Sequence, residues 1–199
     1  MTNKEHIEAI LKRTFWVIQA VYESQKEGDT VITSSEMSHI IFPKKREESP
    51  RVCEQELRFI FVEQLNKEIE QGWNMYYSVE TPTEFVYKGF KTGNPNCDEG
   101  GRSGAIDLVI HDKTSKRIAL IEFKAHDAKI GDYKKDFCKL ENEQSECKFF
   151  VNILENVTRS TFKSIHDKIK DYLKSGICFK FWSLGESKDV TKDIVDYKE

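Results

Sequence analysis

Between Gly104 and Asp127 the chain reads GAIDLVIHDKTSKRIALIEFKAHD, two apolar runs joined by a polar turn. The runs predict two short β-strands, Ala105 to His111 and Arg117 to Ala125, buried on both faces because their apolar character is nearly continuous. Yet the first carries Asp107 among Ile106, Leu108, Val109 and Ile110, and the second carries Glu122 and Lys124 behind Ile118, Ala119, Leu120 and Ile121. Charged side chains are rarely buried unless they pair with one another or bind a metal. Alternation along a strand puts Glu122 and Lys124 on one face and Phe123 on the other. With Asp107 on the neighbouring strand, two carboxylates and one ammonium converge, a set suited to a divalent cation and a water.

The chain around this pair is long enough for one domain with a substantial core: 199 residues, with thirteen Phe, seven Tyr and three Trp to fill it. A net charge of −3 excludes a strongly basic protein that coats nucleic acid, but does not bear on the sign of one cleft. Cys53, Cys97, Cys138, Cys147 and Cys178 are odd in number and lack a CxxC pair, so reduced thiols are expected rather than a disulfide framework or zinc knuckle. The N-terminal MTNKEHIEAILKRTF has charges where a secretory signal needs an apolar core. No run approaches the roughly 18 apolar residues of a membrane span. These features predict a cytoplasmic protein with no membrane partner.

Periodicity predicts a helix from Lys4 to Gln25, with Gly28 as its stop and either core packing or dimerisation as its role. The polar segment from Asp29 to Ser49 ends in Lys44, Lys45 and Arg46, read as a solvated loop with phosphate contact as the minor alternative. Ser49 and Pro50 have the chemistry of an N-cap and first helical residue, predicting a second helix to about Gln71. Glu54 and Glu56 lie on opposite margins of its apolar face, and either could reach the sheet; acids there also favour the helix dipole. Trp73 to Ser78 and Glu84 to Phe90 read as two strands around Thr81-Pro82-Thr83. The Gly/Asn-rich loop from Lys91 to Arg102 offers Arg102 and Ser103 as substrate contacts.

Beyond the central pair, a helix from Ala128 to Glu143 carries Lys135 and Lys139 four apart, a candidate phosphate-binding edge or an ordinary exposed charged face. Cys147 to Leu154 and Ile177 to Leu184 read as strands, with an amphipathic helix from Thr158 to Lys174 between them. The segment after Gly185 reads as a charged surface appendage. The order predicts an α/β fold with a central mixed β-sheet flanked by helices, preceded by an N-terminal helical extension.

Two carboxylates on adjacent strands offer hard oxygen ligands to Mg²⁺, with Mn²⁺ as the alternative, leaving positions for water and phosphate oxygens. Such an ion polarises a phosphoryl oxygen and orients an attacking water. Lys124, on the same face as Glu122, would hold that water and stabilise developing negative charge. The chemistry is metal-assisted hydrolysis of a phosphodiester. The residues that lead there, IDLVI with Asp107 and IEFK with Glu122 and Lys124, resemble the PD-(D/E)xK nuclease superfamily, the restriction-endonuclease-like fold. Upstream, CEQEL at residues 53 to 57 is similar to the E-x-E-L helix of archaeal Holliday junction resolvases. The residue before Asp107 is Ile106 instead of the family's proline.

The resemblance implies that Asp107, Glu122 and the backbone carbonyl of Phe123 bind the metal, that Lys124 assists the water, and that Glu54 completes the metal environment. It divides the chain into an extension over 1–48, a nuclease-like domain over 49–185 and a tail over 186–199. Three rivals are set beside it. Lys124 could form a buried ion pair that only organises the sheet, although such pairs add little net stability. A nuclease-like domain could bind nucleic acid or a protein without cutting. A nucleotide-binding enzyme is disfavoured because no GxxxxGK[ST] or GxGxxG is present. His126 and Asp127 could serve as an acid/base pair or metal ligands, but five scattered histidines lack ligand spacing, and His126 reads as a strand-end surface residue. No sequence-reading module accompanies the set, so structure-selective or nonspecific cleavage of nucleic acid, DNA in the first instance, is expected, with a homodimer as a plausible assembly.

Overall fold

A computed structural model describes residues 1–27, 38–44, 50–90 and 95–198. The expected helix stop at Gly28, the N-cap at Ser49 and the residues Lys45 and Arg46 lie outside the described residues. The elements run α1 (Asn3–Glu27), α2 (Glu54–Glu70), β1 (Tyr76–Lys88), β2 (Asn96–Cys97), β3 (Arg102–His111), β4 (Arg117–Ala125), α3 (Ile130–Asn142), β5 (Cys147–Leu154), α4 (Arg159–Ile169), β6 (Cys178–Ser183), β7 (Lys188–Asp189) and α5 (Thr191–Val195). A 3₁₀ turn, Lys170–Tyr172, follows α4.

Seven strands form one mixed sheet in the order β2-β1-β3-β4-β5-β6-β7. Strands β1, β3 and β4 pair antiparallel, β4, β5 and β6 pair parallel, and β7 returns antiparallel to β6. The fold is therefore α/β with helices on both faces. The near-continuous apolar runs of β3, β4 and β5 follow from this, because each strand fills two cores. Leu108, Ile110, Ala119, Ile121, Phe123, Phe149 and Val151 pack with α1 and α2. Val109, Leu120 and Phe150 pack on the other face with residues of α3, α4 and α5.

Helix α1 is a core element. Ile7, Ile10, Leu11, Phe15, Val17, Ile18 and Val21 are all buried, and Phe15 stacks on Trp182 of β6. Gln19 secures the contact by accepting from the Trp182 indole N–H at 2.9 Å and donating to the Leu184 carbonyl at 3.0 Å. Past Gly185 the expected surface appendage instead adds β7 and α5, and buries Val190 and Ile194 fully. The charges of that segment decorate the outer side of two short elements, while its few apolar residues anchor them. No helix among the described residues is long and apolar enough to cross a membrane.

Two local expectations are corrected. Helix α2 begins at Glu54, not Pro50, because Pro50 is engaged in an isolated β-bridge with Lys44 and Arg51 N–H donates to the Pro43 carbonyl at 2.9 Å. Cys53 occupies the cap position, and the Glu56 carboxylate turns back to accept its N–H at 2.8 Å, the reciprocal half of a capping box. The two strands expected around Thr81-Pro82-Thr83 are one strand, β1, whose register against β3 shifts between Pro82 and Val86. Such a bulge leaves backbone N–H groups without ladder partners. Here they are satisfied by one carboxylate: the fully buried Glu143 accepts from Glu84 N–H at 2.8 Å, Phe85 N–H at 3.0 Å and the Tyr87 hydroxyl at 2.9 Å. Arg117 completes its shell at 2.7 Å and also donates to the Pro82 carbonyl.

Removing the Glu143 carboxylate takes an acceptor from four donors at once, of which Arg117 keeps the Pro82 carbonyl and Glu84. Glu143→Ala is expected to destabilise the protein by about 3 kcal/mol or more in urea unfolding, the scale for breaking a buried, hydrogen-bonded ion pair from one side. Glu143→Gln, which keeps one acceptor oxygen, is expected to cost less.

Candidate active site

Strands β3 and β4 part at the point where the charges lie. Their ladder pairs Ile110 with Ala119, Val109 with Leu120 and Leu108 with Ile121. The same register would next set Asp107 opposite Glu122, but no backbone pair forms there. Instead the Asp107 side chain takes the place of a ladder carbonyl, its Oδ2 accepting from Phe123 N–H at 2.8 Å. This bond ties Asp107 to β4 and holds the strands apart around the acid pair. Phe123 points to the other face, where its ring meets Phe61 of α2 with centroids 5.5 Å apart. That leaves Glu122 and Lys124 facing α3, as alternation requires.

Helix α3 answers with two charges of its own. Lys139 Nζ lies 2.6 Å from Glu122 Oε1 and 3.1 Å from Asp136 Oδ1, and donates to the Ala105 carbonyl at 2.8 Å. Lys124 Nζ lies 2.7 Å from the other Asp136 oxygen, Oδ2, and 3.7 Å from Glu54 Oε1 at the start of α2. It also donates to the Phe123 carbonyl at 3.4 Å. Asp136 therefore bridges the two lysines. Glu122, Asp136 and Lys139 are only 1%, 5% and 7% exposed, Asp107 is half-buried, and Glu54 opens toward solvent.

Among the described residues, charge does not balance in this cluster. Four carboxylates (Glu54, Asp107, Glu122 and Asp136) face two ammonium groups (Lys124 and Lys139), leaving an excess of two negative charges when all are ionised. The titration behaviour follows. Burial pushes the Glu122 carboxyl well above its usual range, Asp136 and Asp107 add repulsion, and Lys139 opposes only in part. Burial raises Asp107 as well, against the pull of the Phe123 N–H. Glu54 is raised by burial, with Lys124 opposing. For Lys124, burial favours loss of the proton, but Asp136, Glu54 and Glu122 outweigh it and raise its pKa. Lys124 is thus a fixed cation in this arrangement, suited to stabilising negative charge instead of removing protons.

The donor set fits a divalent cation in its chemistry. Glu122 Oε2 is buried with no partner among the described residues, while Glu122 Oε1 and Asp136 Oδ2 are met by lysine ammonium groups at 2.6 and 2.7 Å. Hard oxygens in excess of local positive charge are what Mg²⁺ or Mn²⁺ requires. Among the described residues no three His, Cys, Asp or Glu side chains are already grouped around one point, because the lysines stand between the acids.

Of the two helical acids, it is Glu54 that reaches the cluster; Glu56 is committed to capping its own helix. The expected phosphate-binding edge of Lys135 and Lys139 is not formed. Lys139 is turned inward onto Glu122, while Lys135 pairs with Asp132 at 3.1 Å on the partly exposed side of α3. Arg102 is exposed at the first position of β3, and Ser103 bonds locally to the Thr83 and Gly104 carbonyls. Asp127 pairs with Lys168, and His126, at φ 63°, accepts from Arg51 Nε at 3.5 Å. All five cysteines are free thiols. Asp136 is the residue that sequence reasoning missed. Its signal was present: Tyr133, Asp136, Phe137 and Leu140 share the i, i+3, i+4, i+7 stripe that α3 buries.

No protein-family model, curated protein or solved structure matches the chain.

Because the raised Glu122 carboxyl keeps its proton in the folded protein to higher pH than in the unfolded chain, unfolding releases a proton above the usual value of 4.5. Its contribution therefore becomes more unfavourable as pH rises through that window, even with Lys139 beside it. In metal-free protein, wild-type stability is expected to fall as pH rises through that window, and Glu122→Gln to lose that part of the pH dependence. Thermal unfolding from about pH 4.5 to about pH 8 is the measurement; a variant profile that falls as steeply as that of wild type would contradict the burial argument.

Proposed function

We propose that the chain is a metal-dependent nuclease that hydrolyses phosphodiester bonds in nucleic acid, DNA in the first instance. The observation that carries the reading is the buried Glu122 carboxylate, whose Oε2 has no partner among the described residues, set beside Asp107 and the cationic Lys124 where two central strands part. The same residues carry the resemblance to the PD-(D/E)xK nucleases, and the mixed sheet flanked by helices is the architecture that resemblance implies.

Asp107, Glu122 and the Phe123 carbonyl are the groups that would hold Mg²⁺ or Mn²⁺. When bound, the ion supplies polarisation of a phosphoryl oxygen and a more acidic water. The protein's own groups provide the rest. Lys124 Nζ, held protonated by Asp136, donates to the attacking water or to the negative charge growing on the phosphoryl oxygen. Glu54, raised in pKa by burial yet open to solvent on one side, accepts the proton that the water loses. Asp136 keeps Lys124 aimed. The Phe123 N–H holds the Asp107 carboxylate in place, so little rearrangement of β3 is needed.

One observation favours a second reading, a nuclease-like domain that binds nucleic acid or a protein without cutting. The lysines close the acid cluster into a network in which each ammonium has oxygen partners on more than one side.

Cleavage assays on supercoiled plasmid, linear single-stranded and branched DNA, and RNA separate the two. Wild-type protein is expected to cut at least one of these with Mg²⁺ or Mn²⁺ and none with EDTA. Asp107→Ala and Lys124→Ala are each expected to lower the rate at least a hundredfold, on the order of losing one electrostatic stabiliser. Wild type that cuts nothing, or variants that cut as well as wild type, would remove the nuclease reading.

A further inference from the structure

Lys139 has the environment of a bound cation. Its ammonium has three hydrogens and three oxygens to receive them: Glu122 Oε1 at 2.6 Å, Ala105 O at 2.8 Å and Asp136 Oδ1 at 3.1 Å. These come from β4, β3 and α3, so the strands and the helix together build an oxygen-lined seat. A lysine this deeply buried, 7% exposed, is rare and requires such pairing. Nothing in the proposed hydrolysis uses it, yet it contacts the most buried acid of the site.

We propose that Lys139 is the built-in countercation of Glu122, holding the carboxylate in the metal-free protein and yielding it to a divalent cation, with Asp136 retaining the displaced ammonium. The inference rests on the metal of the proposed function, though not on cleavage. Glu122 cannot offer the oxygen nearest Lys139 to a metal while an ammonium stands 2.6 Å from it. Two positive centres sharing one carboxylate oxygen in a buried setting repel strongly. The lysine stem is flexible, and Asp136 is already in contact, so a small swing toward α3 frees the oxygen without leaving the charge unpaired. Asp136 thus acts as a positioning residue for both lysines: it aims Lys124 through Oδ2 and receives Lys139 through Oδ1.

The role predicts an uncommon sign: removing a buried ion-pair partner should tighten metal binding. Full-length protein stripped with chelator is titrated calorimetrically with Ca²⁺ and with Mg²⁺. Lys139→Met and Lys139→Gln are expected to bind roughly tenfold more tightly than wild type, since the competing charge is gone. Lys134→Met, on the same helix, is expected to stay within about twofold. Unchanged or weaker binding in both Lys139 variants overturns the inference. Should both variants fail to fold, the wild type decides by the ¹H–¹⁵N signal of the Lys139 ammonium, assigned through its side-chain carbons. A signal that shifts or is lost on adding Ca²⁺ supports displacement, and one that is unmoved at saturation overturns it. A protein that follows these expectations but cuts no nucleic acid ends the nuclease reading alone. One that cuts while its Lys139 variants bind metal no tighter ends the Lys139 inference alone.

Discussion

A buried carboxylate met by a single lysine, in the middle of a sheet covered on both faces, is the constraint around which this protein is arranged. Glu122 lies on β4, the strand where antiparallel pairing with β3 gives way to parallel pairing with β5. Left alone, such a group costs several kcal/mol in desolvation. The surrounding charges can be understood as responses to it. Lys139 meets it directly, Asp136 meets Lys139, and Lys124 meets Asp136. Opening of the β3–β4 ladder leaves room for the set, and Asp107 holds that opening by bonding to the Phe123 N–H.

A network of this kind is an expensive way to gain stability. Buried ion pairs rarely outperform apolar residues of the same size, and this one carries excess negative charge. Elsewhere the same chain shows what a purely structural buried carboxylate is like. Glu143 accepts hydrogen bonds from two strand N–H groups, a tyrosine hydroxyl and Arg117, and so has no unmet need. Glu122 has one lysine. The contrast between a saturated acid and an unsaturated one, separated by the length of α3 and its approach, is the physical basis for assigning chemistry to the second.

The sequence carried the architecture well where one physical rule dominated. Apolar continuity located β3, β4 and β5, and alternation correctly put Glu122 and Lys124 on the same face. Errors arose where a partner distant in the chain decided the outcome. Nothing local to Thr81-Pro82-Thr83 announces that Glu143 will satisfy the N–H groups of a bulge and let one strand run through. Pro50 has the chemistry of a helix start, but its neighbours are used in pairing with the 43–44 segment. Val190 and Ile194 were too few to outweigh the surrounding charges in a reading of the C-terminal segment. Lys139 is the instructive case at the site. Spacing with Lys135 suggested an outer edge, whereas its place beside Asp136, on the stripe of Tyr133, Phe137 and Leu140, points inward.

The central claim is that Asp107 and Glu122 share one divalent cation. An anomalous difference map from crystals soaked in Mn²⁺ tests it most directly, because near its absorption edge the metal scatters anomalously far more strongly than the cysteine and methionine sulfurs. The expected result is a single strong peak about 2.2 Å from an oxygen of each carboxylate and near the Phe123 carbonyl, with Lys139 moved off Glu122. A map with no peak between the two acids, and Lys139 still paired with Glu122 at saturating Mn²⁺, would contradict it.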